Sequence, residues 1–346
     1  MPELRKDPIS ERWVIIATER GKRPSDFGGG EAVSMEKEPK ICPFCEGSED
    51  KTPSEIIAWR KPGTLKNRPG WLVRVIPNKF PALVIEGEVN RRGVGVFDMI
   101  SGIGAHEVII ESPRHNEHLS EAPPEQIEKV LWAYKERIRD LERDKRFRYV
   151  LVFKNYGSSA GASLSHPHSQ IIATPITPRY LKMELQSARN YFQQKERCIF
   201  CDMITQELST GERIVAENEY FVALEPFAAR FPFETWILPR KHAHGFTYLN
   251  DEDALQLANI MRDTLRRLKL TLNDPPYNYV LHTSPNPVVR PGKPDYWGTI
   301  QYDFHWHIEI IPRLTQQAGF EWGSGLYINP TPPEEATRYL KEVNVE

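Results

Sequence analysis

One order of features occurs twice along the chain, and nothing else in the sequence restricts the fold as tightly. Cys42-Pro-Phe-Cys45 is followed by the strand-like run Trp71-Leu-Val-Arg-Val-Ile76 and by His106-Glu-Val-Ile-Ile-Glu-Ser-Pro-Arg-His115. Apolar residues then recur at helical spacing, at Ile127, Val130, Leu131, Tyr134, Ile138 and Leu141, before the strand Tyr149-Val-Leu-Val-Phe-Lys154 and the motif His166-Pro-His168-Ser-Gln170. From Cys198-Ile-Phe-Cys201 the series returns. It runs through Tyr220-Phe-Val-Ala-Leu224, Phe233-Glu-Thr-Trp-Ile-Leu-Pro-Arg-Lys-His242, a helix capped by Asn250, Tyr277-Asn-Tyr-Val-Leu281 and His305-Trp-His307. That second helix carries Leu257, Met261, Leu265, Leu268 and Leu272 on one face.

Repetition in register means that each copy is built to one plan. β-branched runs beside amphipathic helices predict an α+β fold: two tandem repeats, each an antiparallel sheet flanked by helices, packed as halves of one body. The first repeat is expected at residues 1–178 and the second at 179–346, with the join near 176–197. Ser120 is a possible cap for the first helix, and Pro123 and Pro124 suit its first turn. The strand Glu11-Arg-Trp-Val-Ile-Ile-Ala17 precedes the repeat, and residues 27–40, rich in Gly and Glu, read as a surface loop.

A length of 346 residues, 40% hydrophobic and 27% charged, fits a globular protein of about two domains. The formal net charge of −2 supplies no field to draw in nucleic acid, so no nucleic-acid partner is expected. No apolar run is long enough for a membrane span, and Met1-Pro-Glu-Leu-Arg-Lys-Asp-Pro-Ile9 lacks the apolar core of a signal peptide. Cytoplasmic placement and no membrane partner follow as expectations.

In a reducing compartment, four cysteines falling as two Cys-x2-Cys pairs point to metal or redox chemistry. Each copy also supplies a histidine after a strand and another from His-x-His, the ligand count of a tetrahedral zinc site. We assign Cys42, Cys45, His115 and His166 to the first site and Cys198, Cys201, His242 and His305 to the second. His118 competes with His115, and His244 with His242. A closed four-ligand sphere implies a structural ion. Neither pair is expected to open a helix in a strand-helix unit, which speaks against a redox motif.

With His166 a ligand, His168 stands free beside the small-residue run Asn155-Tyr-Gly-Ser-Ser-Ala-Gly-Ala-Ser163. Backbone N–H groups around Gly157 to Ser163 and the hydroxyls of Ser158, Ser159 and Ser163 suit phosphate oxygens, with Arg20, Lys22 and Arg23 to neutralise them. A neutral imidazole aimed at that phosphorus is a competent nucleophile, and its other nitrogen needs an acceptor to fix the tautomer. The second copy has His307 at the matching place. The segment Asp295-Tyr-Trp-Gly-Thr-Ile-Gln-Tyr-Asp303 before it is too bulky to cradle phosphate, so His168 is the expected catalytic residue and His307 a structural one or an extra ligand.

These residues resemble the histidine triad superfamily and, within it, the galactose-1-phosphate uridylyltransferase family. The shared pattern is Asn-x-Gly-x-x-x-Gly-x-Ser-x-x-His-Pro-His-x-Gln, here Asn155, Gly157, Gly161, Ser163, His166, His168 and Gln170. The resemblance implies histidine-triad-like repeats and a ping-pong reaction. His168 would take UMP from UDP-glucose and pass it to galactose 1-phosphate, with Gln170 bound to the phosphoryl group, and the second repeat would be catalytically degenerate. It further implies that Arg20 and Arg23 contact phosphates and that Asn78 and Phe80 lie at the nucleoside. Asn155, Gly161 and Ser163 would hold the nucleotide, Glu321 would meet sugar hydroxyls, and a homodimer would complete the site. Hydrolases of the superfamily have a third histidine where Gln170 stands, and an amide cannot titrate.

Asn78-Lys79-Phe80 departs from the family's Asn-Asp-Phe. The stretches Gly319-Phe-Glu-Trp-Gly-Ser-Gly-Leu-Tyr-Ile-Asn-Pro330 and Asn273-Asp-Pro-Pro-Tyr-Asn-Tyr-Val-Leu-His-Thr-Ser284 are similar to the ADP-glucose phosphorylase branch, in which adenylyl passes to inorganic phosphate. The second cysteine pair suits that branch, because many uridylyltransferases have a glutamate and histidine site for iron or zinc instead. Uridylyl transfer is the first reading and adenylyl transfer the alternative. A triad-type nucleotide hydrolase and a non-enzymatic zinc module stand behind both.

Overall fold

β-branched and aromatic runs form strands in each copy, and the intervening amphipathic runs form helices. The computed structural model describes residues 2–17, 24–27, 42–287 and 296–345. In chain order the first part holds β1 (Glu3–Lys6), β2 (Trp13–Ile16), β3 (Ile57–Arg60), β4 (Trp71–Pro77), the hairpin of β5 (Arg92–Val94) and β6 (Phe97–Met99), and β7 (Ala105–Ile110). Then come α1 (Pro124–Glu142), β8 (Tyr149–Tyr156), β9 (His168–Thr174), α2 (Arg179–Lys195) and α3 (Ile199–Thr210). The second part holds β10 (Ile214–Glu217), β11 (Phe221–Leu224), β12 (Thr235–Pro239), α4 (Asp251–Leu272), β13 (Tyr277–His282), α5 (Ile300–Asp303) and β14 (His307–Pro312). It closes with α6 (Gly319–Ser324), β15 (Tyr327–Asn329) and α7 (Pro333–Glu342).

The α+β class is as expected, and the way the halves join goes further. Ten strands form a single antiparallel sheet in the order β10-β11-β12-β14-β13-β8-β9-β7-β4-β3. Read outward from the middle, β8-β9-β7-β4-β3 is answered by β13-β14-β12-β11-β10, so the duplication in the sequence is a duplication in topology. The copies meet where β13 pairs with β8, Asn278 opposite Asn155. A smaller sheet, β1-β2-β15, joins the two ends of the chain.

One face of the large sheet is covered by α1 and α4, which pack against each other. Every apolar position that the helical spacing marks in α1 and α4 is buried in this layer, together with Val73, Val152, Ile171 and Ile308. Full burial of each such side chain contributes roughly 1.5–3 kcal/mol. Asn250 caps α4, its Oδ1 accepting from the Asp253 N–H at 2.8 Å. α1 departs from expectation: its cap position is Pro123 and its first residue Pro124, with no side-chain cap, so Ser120 plays no such part.

The opposite face differs between the halves. Over the second half it is roofed by α2 and α3, whose Leu181, Leu185, Ala188, Ile199, Phe200 and Ile204 pack on Val222, Leu224, Trp236 and Leu238. Over the first half a small cluster of Trp71, Ile76, Val108 and Ile110, with Phe44 against it, covers only part of the face. Among the described residues no helix is long and apolar enough to cross a membrane.

Candidate active site

Alternation along β9 puts Ser169, Ile171 and Ala173 into the helix-covered core and His168, Gln170 and Ile172 on the partly open face. His168 is buried at the head of β9 and pairs with Ile110 of β7. The edge of its ring meets Phe44 with centroids 5.4 Å apart. Its Nδ1 lies 2.8 Å from the carbonyl oxygen of His166, which can only accept, so Nδ1 carries the proton and Nε2 the lone pair. Burial holds its pKa below the usual histidine value and so favours the neutral form.

The four residues assigned to the first site come together, their ligand atoms within 4.8 Å of one another. His166 Nδ1 lies 3.6 Å from Cys42 Sγ and 3.5 Å from Cys45 Sγ, and His115 Nδ1 is 3.5 Å from Cys45 Sγ. For zinc bonds of about 2.3 Å to sulfur and about 2.0 Å to nitrogen, a tetrahedron has an S···N edge of about 3.5 Å. The spacing therefore fits that ion. His166 donates Nε2–H to the Ser112 carbonyl at 2.8 Å, which leaves Nδ1 as the ligand atom, and His115 Nε2 meets Ser165 Oγ at 3.1 Å. His118 stands outside this group and stacks edge-on against Tyr156 with centroids 4.9 Å apart.

Cys198, Cys201, His242 and His305 form a second such group, also within 4.8 Å. Cys201 Sγ lies 3.4 Å from His242 Nδ1 and 3.6 Å from His305 Nδ1. The outer nitrogens donate to the carbonyls of Gln301 at 3.0 Å and Pro239 at 2.9 Å. His244 is not in the group and stacks on Tyr248. Cys198 occupies the cap position of α3, so the second cysteine pair opens a helix, but one that follows α2 and not a strand, and the strand-helix unit of a redox motif is not formed. The hydrogen bond from Cys198 holds the Cys201 thiol below its ordinary value, with His242 and His305 adding to the effect.

The small-residue run leaves β8 as a tight turn. Gly157 and Gly161 have φ of 85° and 89°, which a β-carbon would strain, and Ser158–Ala160 make one 3-10 turn between them. Asn155 Nδ2 reaches the Gly161 carbonyl at 3.4 Å, and Asn278 of the second copy donates to both Asn155 Oδ1 and the Ala160 carbonyl at 2.8 Å. Ser163 is exposed at the end of the run. Asn78 follows β4 and lies 3.0 Å from His106, while Phe80 stands 82% exposed. Glu321 caps its own helix α6, its Oε2 accepting from Ala318 N–H at 3.0 Å; among the described residues none of its contacts reaches His168. Arg20, Lys22 and Arg23 lie outside the described residues.

Three features escaped sequence reasoning. His106 of β7 contacts both Asn78 and Gln170, a link that exists only once β7 pairs with β9. Beneath β9, on the helix side, Lys154 Nζ donates to Glu111 Oε2 at 2.5 Å and to the His168 carbonyl at 3.2 Å, and Tyr134 bridges Ser169 and Tyr279. His307 sits with Glu184, His282 and Glu309 in a fully buried group, a third set of residues able to hold an ion. Among the described residues its Nε2 makes no hydrogen bond, Glu309 Oε1 lying 3.8 Å away, and the ring stacks on Trp236 with centroids 5.1 Å apart under the roof of α2 and α3. That roof covers the ring of His307, with Phe200 against it at 5.2 Å between centroids.

Comparison with known proteins agrees with this architecture. A family model described as galactose-1-phosphate uridyl transferase, N-terminal domain, matches residues 1–178, and the C-terminal domain of the same family matches residues 184–322. The ADP-glucose phosphorylase of Arabidopsis thaliana is 39% identical over 346 residues, 99% of this chain and 93% of that protein. The galactose-1-phosphate uridylyltransferase of Thermotoga maritima is 30% identical over 354 residues, 100% of each chain. The crystal structure of the Arabidopsis ADP-glucose phosphorylase with bound ADP-glucose has a TM-score of 0.82 at 37% identity, covering 100% of both chains.

Proposed function

The chain belongs to the galactose-1-phosphate uridyl transferase family, and from that premise we propose that it moves UMP from UDP-glucose to galactose 1-phosphate through a nucleotidyl group carried on His168. The observation that carries this is the fixed tautomer of His168, whose Nδ1 is committed to the His166 carbonyl so that Nε2 holds the lone pair. Nε2 attacks the α-phosphorus of UDP-glucose, the bond to the bridging oxygen breaks, and glucose 1-phosphate leaves. A phosphate oxygen of galactose 1-phosphate then attacks the same phosphorus, and His168 departs as the neutral imidazole. Gln170 donates to a phosphoryl oxygen through the transfer, and the turn from Asn155 through Gly161 to Ser163 supplies further donors. Arg20 and Arg23 neutralise phosphate charge, while Asn78 and the exposed Phe80 receive the nucleoside.

The two Cys2His2 groups would hold zinc as structural ions, the first fixing His166 beside His168; the second group also suits iron. Repeats divided at 178/179 split the work, the second being catalytically degenerate. We place the protein in the cytoplasm, where its thiols stay reduced. Glu321 meets the sugar of a partner copy in a homodimer. In support, the β5–β6 hairpin presents Val94, Val96, Phe97 and Met99 to solvent, an apolar patch of the kind a second copy covers.

A specific observation favours a second reading, adenylyl transfer from ADP-glucose to inorganic phosphate: the relative at 39% identity bears that activity in its name, and Lys79 stands between Asn78 and Phe80. Incubation with each sugar nucleotide followed by intact-protein mass measurement separates the two. UDP-glucose is expected to add a uridylyl mass that His168→Asn does not acquire. Labelling by ADP-glucose alone selects the second reading, and labelling by neither removes the enzyme reading.

A further inference from the structure

His106 heads β7, ligates nothing, and has no part in the reaction as written above. Its register partner on β9 is Ile172, so Gln170 is its diagonal neighbour on the same face. The main-chain N–H of Ala82 donates to His106 Nδ1 at 3.1 Å. A neutral imidazole has one proton, so a ring that accepts at Nδ1 carries that proton on Nε2. Nε2 lies 2.8 Å from Gln170 Oε1 and donates to it. Asn78 Nδ2 also lies 3.0 Å from Nε2, but it is a donor facing a donor and makes no bond there; Asn78 is held instead by the Phe80 N–H, which donates to its Oδ1 at 2.9 Å, and by its main-chain N–H, which donates to the His106 carbonyl at 2.8 Å. A carboxamide has an acceptor end and a donor end. With Oε1 bound to His106, the NH2 is the end that Gln170 retains for a third group.

We propose that His106 is a positioning residue for nucleotidyl transfer: its ring turns the Gln170 amide so that its N–H donors face the phosphoryl group on His168, while its main-chain carbonyl holds the Asn78 N–H at the nucleoside end of the site. The inference rests on the nucleotidyl-His168 reading. Donors stabilise the charge that develops on phosphoryl oxygens. An acceptor in their place would take a proton from water and direct its oxygen at phosphorus. His106 occupies that acceptor, so the nucleotidyl group persists until the acceptor phosphate arrives.

His106→Leu removes the ring donor, whereas His106→Gln returns an amide N–H at similar reach. The readouts are the single-turnover rate at which His168 takes label from UDP-glucose or ADP-glucose, and the share of label that passes to water when acceptor phosphate is present. The leucine variant is expected to label roughly tenfold more slowly at saturating sugar nucleotide, the loss of one well-placed hydrogen bond. Its KM should change less than its kcat, and more of its label should reach water; the glutamine variant should recover rate and partition. Melting temperature and metal content establish that each variant is folded, and His106→Asn, too short to reach Oε1, replaces the leucine variant if that one does not fold. A folded leucine variant with wild-type rate and partition overturns the proposal, as does a folded glutamine variant no better than leucine. A wild type that takes label from neither nucleotide overturns the parent reading and this one with it.

Discussion

His166 accepts, on its main-chain oxygen, the Nδ1 proton of His168 at 2.8 Å, while its own ring faces Cys42 and Cys45. One residue thus joins the Cys2His2 group to the proposed nucleophile. Its ring nitrogen faces both cysteine sulfurs, and its carbonyl sets the tautomer of the residue two places on. Cys42→Ser should lower the metal content by one ion per chain and reduce nucleotidyl labelling of His168 by tenfold or more, even where the variant stays folded. Metal analysis beside mass labelling checks this, and full labelling at reduced metal content would refute the coupling.

Cys198→Ser tests the second group by contrast. This cysteine caps α3 on the roofed half and touches no group around His168. The variant should lose one ion and several degrees of melting temperature while labelling stays within a few fold of wild type. Equal loss of labelling from both cysteine variants would contradict the division of labour between the halves.

Lys154 and Glu111 form a buried ion pair under β9. Removing one partner strands the other charge and costs about 3–5 kcal/mol, whereas removing both in favour of well-packed apolar groups is close to neutral. Lys154→Met should therefore be far less stable in denaturant than Lys154→Met with Glu111→Leu. Single and double variants of equal stability would show that the pair is not coupled.

Glu142 ends α1, where burial pushes its carboxyl up to about 7 against an ordinary 4.5. Between those values the folded state keeps a proton that the unfolded state has lost, so this group makes stability fall as pH rises from 4.5 to about 7. Glu142→Gln removes the penalty. Its stability should match wild type near pH 4 and exceed it by about 2–3 kcal/mol at pH 8. Denaturant curves at both pH values are the measurement, and a pH-independent difference would contradict the burial argument.

Much of this was legible because it is periodic. The stripe from Ile127 to Leu141 and the face from Leu257 to Leu272 mark their helices, and the matching order of cysteines and histidines gave both four-residue groups before any coordinates. What is written only in pairing stayed hidden. Nothing local to Tyr149–Tyr156 or Tyr277–His282 says that these strands lie side by side and fuse two sheets into one. Glu184 and His282 lie 98 residues apart and meet only because α2 folds over the sheet. That helix has a stripe of its own, Leu181, Leu185 and Ala188, but it falls where a join between repeats was expected. His106 looked like the first residue of a strand, and its contacts depend on the register of β7 against β9.

The roof over the second half is made by α3, which opens the second copy, and by α2, the segment that joins the copies. A connector that lies on its neighbour's sheet is no longer a tether that can be lengthened, cut or exchanged at will. Severing the chain between α2 and α3 and expressing the pieces apart would strip Leu181, Leu185 and Ala188 from the cluster over the second half and leave His282 without Glu184. The two copies, alike in plan, are held together by more than the pairing of β13 with β8: the passage between them is a wall of one of them.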